Sequence, residues 1–219
     1  MLKRESLRNQ IKGEIRRQII SGDLTAKKRL SEVELASELG VSRTPLREAL
    51  ISLEQEGFLC ASPGRGFSIL PLSEDEYKQL VPVIGALERI ALLSCPLPNL
   101  KKLEELRLIN LDLLATDKIK DKDRRSEERV KTDMMWHEVL LENAKNLKAL
   151  DLVMKTKLQW QRYEYAFWTA LDDVSQSAAN HSKIIDHLTN KSMINAADEL
   201  DLHWSECCKT EIYLQSREK

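Results

Sequence analysis

The sequence predicts a mainly α-helical protein made of two parts, a front part with a few short strands and a rear part built only of helices. Glycine and proline carry the first observation, because six of the seven glycines lie at or before Gly66. The second observation is that neither residue occurs between Asn99 and Lys219. A stretch of this length without helix-interrupting residues is expected to be all helix. We therefore predict two domains, residues 1–72 and residues 73–219.

Composition sets outer limits on the class of protein. Of the 219 residues, 42% are apolar and 32% are charged, which suits cores with a charged surface. No apolar run approaches the roughly 18 residues of a membrane span, and the N-terminus has no signal-peptide pattern. We expect a cytoplasmic protein with no membrane contact and with its four cysteines reduced. Residues 1–72 have a net charge of +3, whereas the whole chain has a net charge of −1. This difference weakly favours a nucleic-acid partner for the front part.

The front part shows three helices followed by a hairpin. Apolar residues at i, i+4 spacing predict a first helix over 6–21. Ser31 as N-cap, with Glu34 three residues later, predicts a second helix over 32–39 that Gly40 ends. A third helix follows over 43–56, and two short apolar runs on either side of the turn at 62–66 predict a small hairpin. This order of elements is that of a winged helix-turn-helix.

The third helix carries the strongest chemical signal. Its start holds Ser42, Arg43 and Thr44, and Arg47 lies one turn further on, on the same face as Arg43. In a helix-turn-helix these positions meet base edges in the major groove, where arginine can bind guanine with two hydrogen bonds. The alternative is an ordinary helical hairpin with surface arginines, which leaves the glycine turn and the hairpin unexplained.

The hairpin turn predicts a second DNA contact. Gly64 and Gly66 flank Arg65, so that this arginine can approach the backbone or minor groove closely.

The rear part is predicted to contain six helices. Their expected limits are 73–95, 99–117, 124–144, 147–171, 175–190 and 192–216.

Histidines and one aspartate suggest a site within these helices. Asp133 and His137 are four residues apart and share a helix face, His181 is expected at the beginning of a helix, and His203 lies midway along the last helix. One carboxylate and three imidazoles converging in a bundle could hold a divalent metal ion. By spacing alone, surface or core histidines remain the alternative, and His187 is interpreted as exposed or capping.

The front motif resembles a known family. The string ELGVSRTPLREAL, followed by LEQEGF and GRGF, is similar to the DNA-binding domain of GntR-family bacterial regulators over about residues 6–70. The resemblance implies that Arg43, Thr44 and Arg47 read or anchor the operator and that the wing contributes through Gly66. Some members have an arginine where this chain has Val33, so that contact is absent here.

The rear part resembles the FCD subgroup of this family. Its sensor domains are marked by Asp-x-x-x-His and two further histidines, which here are Asp133, His137, His181 and His203. The resemblance implies that these four residues bind a divalent metal ion such as zinc or nickel, and six helices resemble the shorter, VanR-like branch.

The effector side of the resemblance is less complete. Members often have an arginine four residues before the glutamate of the first sensor helix, and it can bind an effector carboxylate. Counting back from Glu88 gives Ile84, so the anchor is missing or is replaced, for example by Arg162. The nearby aromatic residues are expected to form core or dimer packing, and some of them to line an effector pocket. These residues are Trp160, Tyr163, Tyr165, Phe167 and Trp168.

The patterns together predict a homodimeric transcriptional regulator, by default a repressor. It would bind a pseudo-palindromic DNA operator and respond to a small-molecule effector, an organic acid held at the metal centre. An enzyme with an open metal site is a second hypothesis, but the chain has no His-Glu-x-x-His, phosphate loop or nucleophile elbow. A DNA-bound structural protein with a metal-free dimerisation domain is a third.

Overall fold

The computed structural model describes residues 6–24, 29–62 and 66–207. The chain divides into two compact units, one ending at Leu72 and the other beginning at Ser73. Within the described residues the structure is mainly α-helical with one small sheet, which confirms the predicted fold class.

The first unit contains three helices and a three-stranded antiparallel sheet. Its elements are α1 (Leu7–Ser21), β1 (Arg29–Leu30), α2 (Glu32–Glu38), α3 (Arg43–Gln55), β2 (Leu59–Ser62) and β3 (Gly66–Ile69). The strand order is β1-β3-β2, with Leu59 opposite Ile69 and Leu30 opposite Phe67. The predicted hairpin is therefore confirmed. Strand β1 was not predicted, because two residues are too few to show an alternating pattern.

Local sequence explains where the helices of this unit begin and end. The hydroxyl of Ser31 accepts a hydrogen bond from the backbone N–H of Glu34, which confirms the predicted N-cap. Gly40 has a φ of +63°, a left-handed backbone conformation that residues other than glycine rarely adopt. The chain can therefore turn sharply, and the N–H of Val41 donates to the carbonyl of Ala36 at 3.0 Å. This turn fixes α3 against α2.

Apolar side chains of α1, α3 and the sheet form the core of the first unit. Ile15 of α1, Leu46 and Leu50 of α3, and Phe58 are all fully buried. Burial of each such side chain is worth about 1.5–3 kcal/mol. The inward face of α3 is thereby fixed, and its opposite face is left to solvent.

The second unit contains six α-helices and a short 3₁₀ turn at Thr116–Lys118 within the described residues. They are α4 (Glu74–Leu93), α5 (Leu100–Ala115), α6 (Lys122–Leu141), α7 (Leu147–Ala170), α8 (Ser175–Thr189) and α9 (Met193–Cys207). The predicted limits agree with these to within three residues, except that the predicted end of the last helix at 216 lies outside the described residues. His181 lies in the middle of α8, so the expectation that it begins a helix was wrong; the helix begins at Ser175 instead.

The six helices pack side by side in a closed order. Helix α4 packs against α7 and α9, α8 packs against α9 and α5, and α6 packs against α5 and α7. Gly85 allows the close approach of α4 and α9, because a Cβ there would lie 2.8 Å from the Asp201 side chain and 3.0 Å from Trp204 Cβ. None of the helices in the described part of the chain is both long and apolar enough to cross a membrane. The inward faces of the six helices therefore enclose one centre.

Candidate metal centre and nucleic-acid interface

Polar side chains from every helix of the second unit meet at this centre. All are at least nine-tenths buried in an otherwise apolar core, apart from Lys157, which is 13% exposed. They are Glu88 of α4, Asn110 of α5, Asp133 and His137 of α6, Lys157 and Glu164 of α7, His181 of α8 and His203 of α9. Burial of so many polar groups is costly unless they are paired with one another or hold an ion.

Three histidines come together at the middle of the bundle. Ligand nitrogens of His137, His181 and His203 all lie within 4.8 Å of one another. Asp133 lies beside them, with one carboxylate oxygen 3.8 Å from Nε2 of His137 and the other 3.6 Å from Nε2 of His181. The structure therefore brings together all four residues that the sequence singled out.

Four buried atoms of these residues make no hydrogen bonds within the described chain. These atoms are Oδ1 of Asp133, Nε2 of His137, Nε2 of His181 and Nδ1 of His203. The separations of 3.6 and 3.8 Å from Asp133 exceed hydrogen-bond length. These separations are those expected between two ligands of one ion, since donor atoms that each lie about 2.1 Å from a metal are about 3.0–4.2 Å apart. The residues present therefore fit a divalent ion: these buried histidines could hold a metal.

Glu88 fixes the orientation of His137. Its Oε2 lies 2.7 Å from Nδ1 of His137 and accepts a second hydrogen bond, also 2.7 Å, from Nε1 of Trp204. Because a carboxylate can only accept, Nδ1 of His137 carries the proton and Nε2 is left as a lone-pair donor toward the centre. The ammonium of Lys157 lies 2.5 Å from Oε1 of Glu88 and compensates its charge.

Asn110 and Trp136 fix His181 in the same way. The amide nitrogen of Asn110 donates to the carbonyl of Ala178 at 2.9 Å, so its Oδ1 is the atom that faces Nδ1 of His181 at 3.1 Å. The indole of Trp136 stacks on the imidazole with ring centroids 3.7 Å apart and planes 6° apart. The outer nitrogen of His181 is therefore the protonated one, and Nε2 faces Asp133. Such outer partners typically set the tautomer and direction of a metal ligand.

Burial works against the charged form of two of the imidazoles. Burial lowers the pKa of His203 to about 3, and burial lowers the pKa of His181 well below its ordinary value. Burial raises the pKa of Asp133 above its ordinary value. Burial acts against ionisation of Glu88 too, but the adjacent His137 and Lys157 outweigh it and hold the pKa of Glu88 well below its usual range. Neutral imidazoles are the form that binds metal ions.

A small cavity lies against this centre. It is lined by Asp133, Trp160, Phe167, Trp168, Ser177, His203, Trp204 and Cys207. Its volume of about 10 Å³ is close to what one water molecule requires. Four of the aromatic residues of α7 are core residues, as predicted, and three of them line this cavity. Their part in an effector pocket stays a prediction, and the side chain of Tyr165 lies outside the described part.

Arg162, the candidate effector anchor, lies on a different side of α7. Its side chain is 2% exposed and its guanidinium lies 3.4 Å from Oε2 of Glu76, which also contacts the hydroxyl of Tyr163. Arg162 is not among the described residues that line the cavity beside Asp133. The buried cation nearest the histidines is instead Lys157.

Sequence reasoning missed the polar residues that surround the four candidate ligands. Glu88 served only to count back to Ile84, and Asn110 was not singled out as a site residue. Lys157 and Glu164 were not singled out. A usable signal existed, because Trp160 lies between Lys157 and Glu164 at three- and four-residue spacing, which puts both charged residues on one largely apolar face.

The first unit presents the start of α3 to solvent. Ser42, Arg43, Thr44 and Arg47 are all exposed, and Ser42 is the N-cap residue although its hydroxyl makes no capping bond. Arg47 is 60% exposed, with its guanidinium 3.0 Å from Glu32 of α2. Val33, at the position where some family members have arginine, is 64% exposed. The predicted DNA-reading residues therefore share one accessible end of the helix.

The wing is described only in part. Strands β2 and β3 are paired, and Gly66 has a φ of +78°, which requires glycine. Gly64 and Arg65, two of the predicted DNA-contacting residues, lie outside the described residues. Their contribution stays a prediction.

The fold defines a helix-turn-helix regulator with a helical second domain, and comparisons with known proteins agree. The family model "Bacterial regulatory proteins, gntR family" matches residues 7–69, and the model "FCD domain" matches residues 79–206. The chain belongs to the GntR family of bacterial transcriptional regulators, in its FCD subgroup. The VanR-like branch stays a prediction.

Individual relatives are regulators as well, not enzymes. The Nta operon transcriptional regulator of Aminobacter aminovorans is 30% identical over 164 residues, 74% of each chain. The uncharacterized regulator YdhC of Bacillus subtilis is 24% identical over 200 residues, 91% of this chain and 88% of the relative. The Gluconate operon transcriptional repressor of Bacillus licheniformis is 30% identical over 148 residues, 64% of this chain and 56% of the relative.

Solved structures show the same fold. A GntR regulator from Rhodococcus sp. RHA1 has a TM-score of 0.71 at 17% identity, covering 98% of this chain and all of that one. Escherichia coli McbR/YncC has a TM-score of 0.67 at 18% identity, covering 94% and 95%.

Proposed function

We propose that this regulator is a repressor whose affinity for its operator is controlled by a small organic acid bound at a divalent metal ion in the second unit. The observation that carries the proposal is the close approach of three buried histidines beside Asp133, where each of the four residues has a buried atom without a hydrogen-bond partner among the described residues. Leaving one buried donor unsatisfied costs about 1–3 kcal/mol. Four in one buried cluster are best explained by an ion that satisfies them together.

Asp133, His137, His181 and His203 would hold this ion, and zinc or nickel suits three imidazoles and one carboxylate. When bound, the ion supplies a positive charge that attracts the carboxylate of an effector. The chain itself supplies orientation, through Glu88 on His137 and Asn110 on His181. The aromatic wall around the cavity excludes water, which strengthens the electrostatic interactions inside.

The DNA-binding part of the proposal rests on the exposed end of α3. Ser42, Arg43, Thr44 and Arg47 would enter the major groove, with Gly64, Arg65 and Gly66 of the wing against the backbone or minor groove. Two copies of the chain in a homodimer would read two half-sites of a pseudo-palindromic operator.

Control of DNA binding by the effector requires two states of the dimer. An effector changes operator affinity only by as much as its own affinity differs between those states. The cavity has room for about one water, so an acid can enter only if aromatic rings of α7 or α9 shift. This movement is the event through which we expect the sensor unit to respond. Repressor action follows the name of the Bacillus licheniformis relative.

Metal analysis tests the proposal directly. We expect the full-length protein, purified without chelators, to contain about one divalent ion per chain. Asp133→Ala should lower this content while leaving DNA binding by the metal-free protein unchanged. The matched control is Asp151→Ala on α7, whose carboxylate is half-exposed and pairs with Lys155. If the wild-type protein contains no metal and no divalent ion raises its thermal stability, the result contradicts the proposal. It would favour the hypothesis that the second unit is a metal-free dimerisation domain.

A further inference from the structure

A second cavity, which we call the end cavity, lies at one end of the six-helix bundle. It lies where α4 and α6 end and where α5 and α9 begin. Its volume is about 240 Å³, whereas an engineered apolar cavity of about 150 Å³ is enough to bind benzene. None of the described residues that line it also lines the small cavity beside His203. The end cavity is therefore a separate space with room for a small organic molecule.

Four buried leucines form the inner wall of the end cavity, and we call them the leucine layer: Leu92, Leu106, Leu140 and Leu188. Three of them lie about one helical turn from polar residues of the candidate metal centre, Leu92 from Glu88, Leu106 from Asn110 and Leu140 from His137. The leucine layer thus lies between the end cavity and that centre. A molecule in the end cavity meets an apolar surface, and none of the described lining residues is a candidate metal ligand.

The mouth of the end cavity has two hydrogen-bond donors that meet at one carboxylate. The ammonium of Lys102 and the amide nitrogen of Asn143 lie 2.5 Å and 3.1 Å from the same oxygen, Oε1 of Glu142. Lys102 and Asn143 line the end cavity, whereas Glu142 is not among the described lining residues. The pairing with Glu142 shows that these two donors together can bind a carboxylate group.

The carboxylate that now holds these donors is only loosely placed. The side chain of Glu142 is 51% exposed, whereas that of Lys102 is 11% exposed. An ion pair with a solvent-exposed partner contributes little, because water competes for the exposed charge. Burial raises the pKa of Cys95, another lining residue, to about 11, so its thiol adds no negative charge at neutral pH. A carboxylate that enters from solvent can therefore take the place of Glu142 beside Lys102.

We propose that the end cavity binds a short aliphatic monocarboxylic acid, with its carboxylate at Lys102 and Asn143 and its chain against the leucine layer. The volume suits a chain of about six carbons, since a smaller cavity already holds benzene. Each methylene group that reaches the leucine layer should tighten binding about fourfold. This site goes beyond the proposed function, because it needs no metal ion.

Three molecules with the same six-carbon chain and different charge test the proposal on the full-length protein. Hexanoate, hexanol and hexylammonium end in a carboxylate, a hydroxyl group and an ammonium group. We expect calorimetry to show that hexanoate binds about tenfold more tightly than hexanol, because hydrogen bonds to charged groups are the stronger ones. Hexylammonium should bind more weakly than either, because its charge repels Lys102.

Two pairs of matched variants locate the carboxylate and the chain. Lys102→Met should lower hexanoate affinity to that of hexanol, whereas Lys101→Met, at the exposed neighbouring position, should leave it unchanged. Met193→Trp fills the end cavity from its rim and should abolish binding, whereas Ile194→Trp, at a position 64% exposed, should not. Glu142→Gln removes the competing charge and should tighten hexanoate binding by up to about fivefold.

Cys95 reports occupancy of the end cavity without any substitution. Hexanoate should slow the alkylation of Cys95 by iodoacetamide, followed by peptide mass spectrometry, and should leave alkylation of Cys60 in the first unit unchanged. Circular dichroism shows whether Met193→Trp folds. If it does not, Lys102→Met and the protection of Cys95 decide.

The proposal is overturned if hexanol or hexylammonium binds as tightly as hexanoate, if Lys102→Met keeps wild-type affinity, or if hexanoate does not bind at millimolar concentration. The measurements are repeated on chelated protein, where hexanoate binding should persist. Binding that disappears on chelation would place the acid at the ion and would overturn the proposal too. A protein that takes up no metal but still binds hexanoate contradicts the proposed function alone.

Discussion

The two units of this regulator build their candidate sites in opposite ways. In the first unit, every described residue that is buried is apolar, and the candidate DNA-contacting side chains are exposed. Among the described residues of the second unit, fourteen polar or charged ones are buried, and the candidate ligands are among them. Arg47 is 60% exposed and rests against Glu32, whereas His203 is 4% exposed and its Nδ1 has no partner in the described chain.

This difference follows from what we propose that each site binds. DNA is a large polyanion that reaches the protein from outside, so arginines held in water can meet it at little cost in folding stability. A metal ion and a small acid gain most from a dry site, where each electrostatic contact is stronger. The dry site is costly to build, because every donor must be oriented by a second residue and buried before the ion arrives.

The largest expected effect concerns a ligand of the buried centre. His203→Ala removes one of the four donors, and we expect metal affinity to fall by more than about a hundredfold, since loss of outer residues alone costs about 10–100-fold. The stabilisation that metal gives in thermal unfolding should disappear as well. His187→Ala, at a partly exposed histidine of the same unit, is the matched control. Equal metal affinity in both variants would remove His203 from the ligand set.

Glu88→Gln tests whether the buried site depends on its outer residues. The amide still fills the space but cannot compensate Lys157 or hold His137 as firmly, so we expect about a 10–100-fold loss of metal affinity. Cobalt substitution should also show a changed ligand-field spectrum, which a loss of general stability would not produce. Glu74→Gln, on the exposed face of the same helix, should change neither reading. A Glu88 variant with wild-type affinity and spectrum would show that the ligands are oriented without it.

Arg47→Ala tests the exposed site. We expect operator affinity to fall about 5–150-fold, because one bidentate base contact is worth about 1–3 kcal/mol. The measurement is fluorescence anisotropy on a duplex selected from a random library by the wild-type protein. Arg17→Ala is the control, because Arg17 is equally exposed and also pairs with a glutamate, on α1. If the two variants bind the duplex equally well, α3 is not the reading helix.

The smallest expected effect concerns α2, the helix that packs against the exposed helix α3. Ser31→Ala removes the N-cap of α2, and we expect a loss of about 1 kcal/mol. Hydrogen exchange should show faster exchange in amides of the first unit only. Asn146→Ala, which removes the cap of α7, should do the same in the second unit. If either variant changed amide hydrogen exchange equally in both units, the two units would not unfold independently.

The sequence predicted far more of the fold than of the inner structure of the site. Glycine spacing, the Ser31 cap and the absence of helix breakers are local signals, so helix limits were predicted to within three residues. The four candidate ligands were singled out because Asp133 and His137 lie one turn apart and the family pattern supplied the other two. Glu88, Asn110 and Glu164 were missed, because their roles depend on which helices become neighbours. Strand β1 was missed because it has only two residues.

X-ray absorption at the metal edge of zinc-loaded protein tests the central claim most directly. The claim is that three histidines and one carboxylate, fixed by burial, hold the ion. The account predicts a first shell of nitrogen and oxygen at about 2.0–2.2 Å, with the multiple-scattering signature of imidazole and without sulfur. A sulfur neighbour at about 2.3 Å would place the ion on a cysteine such as Cys207, which lines the cavity, and would contradict the account.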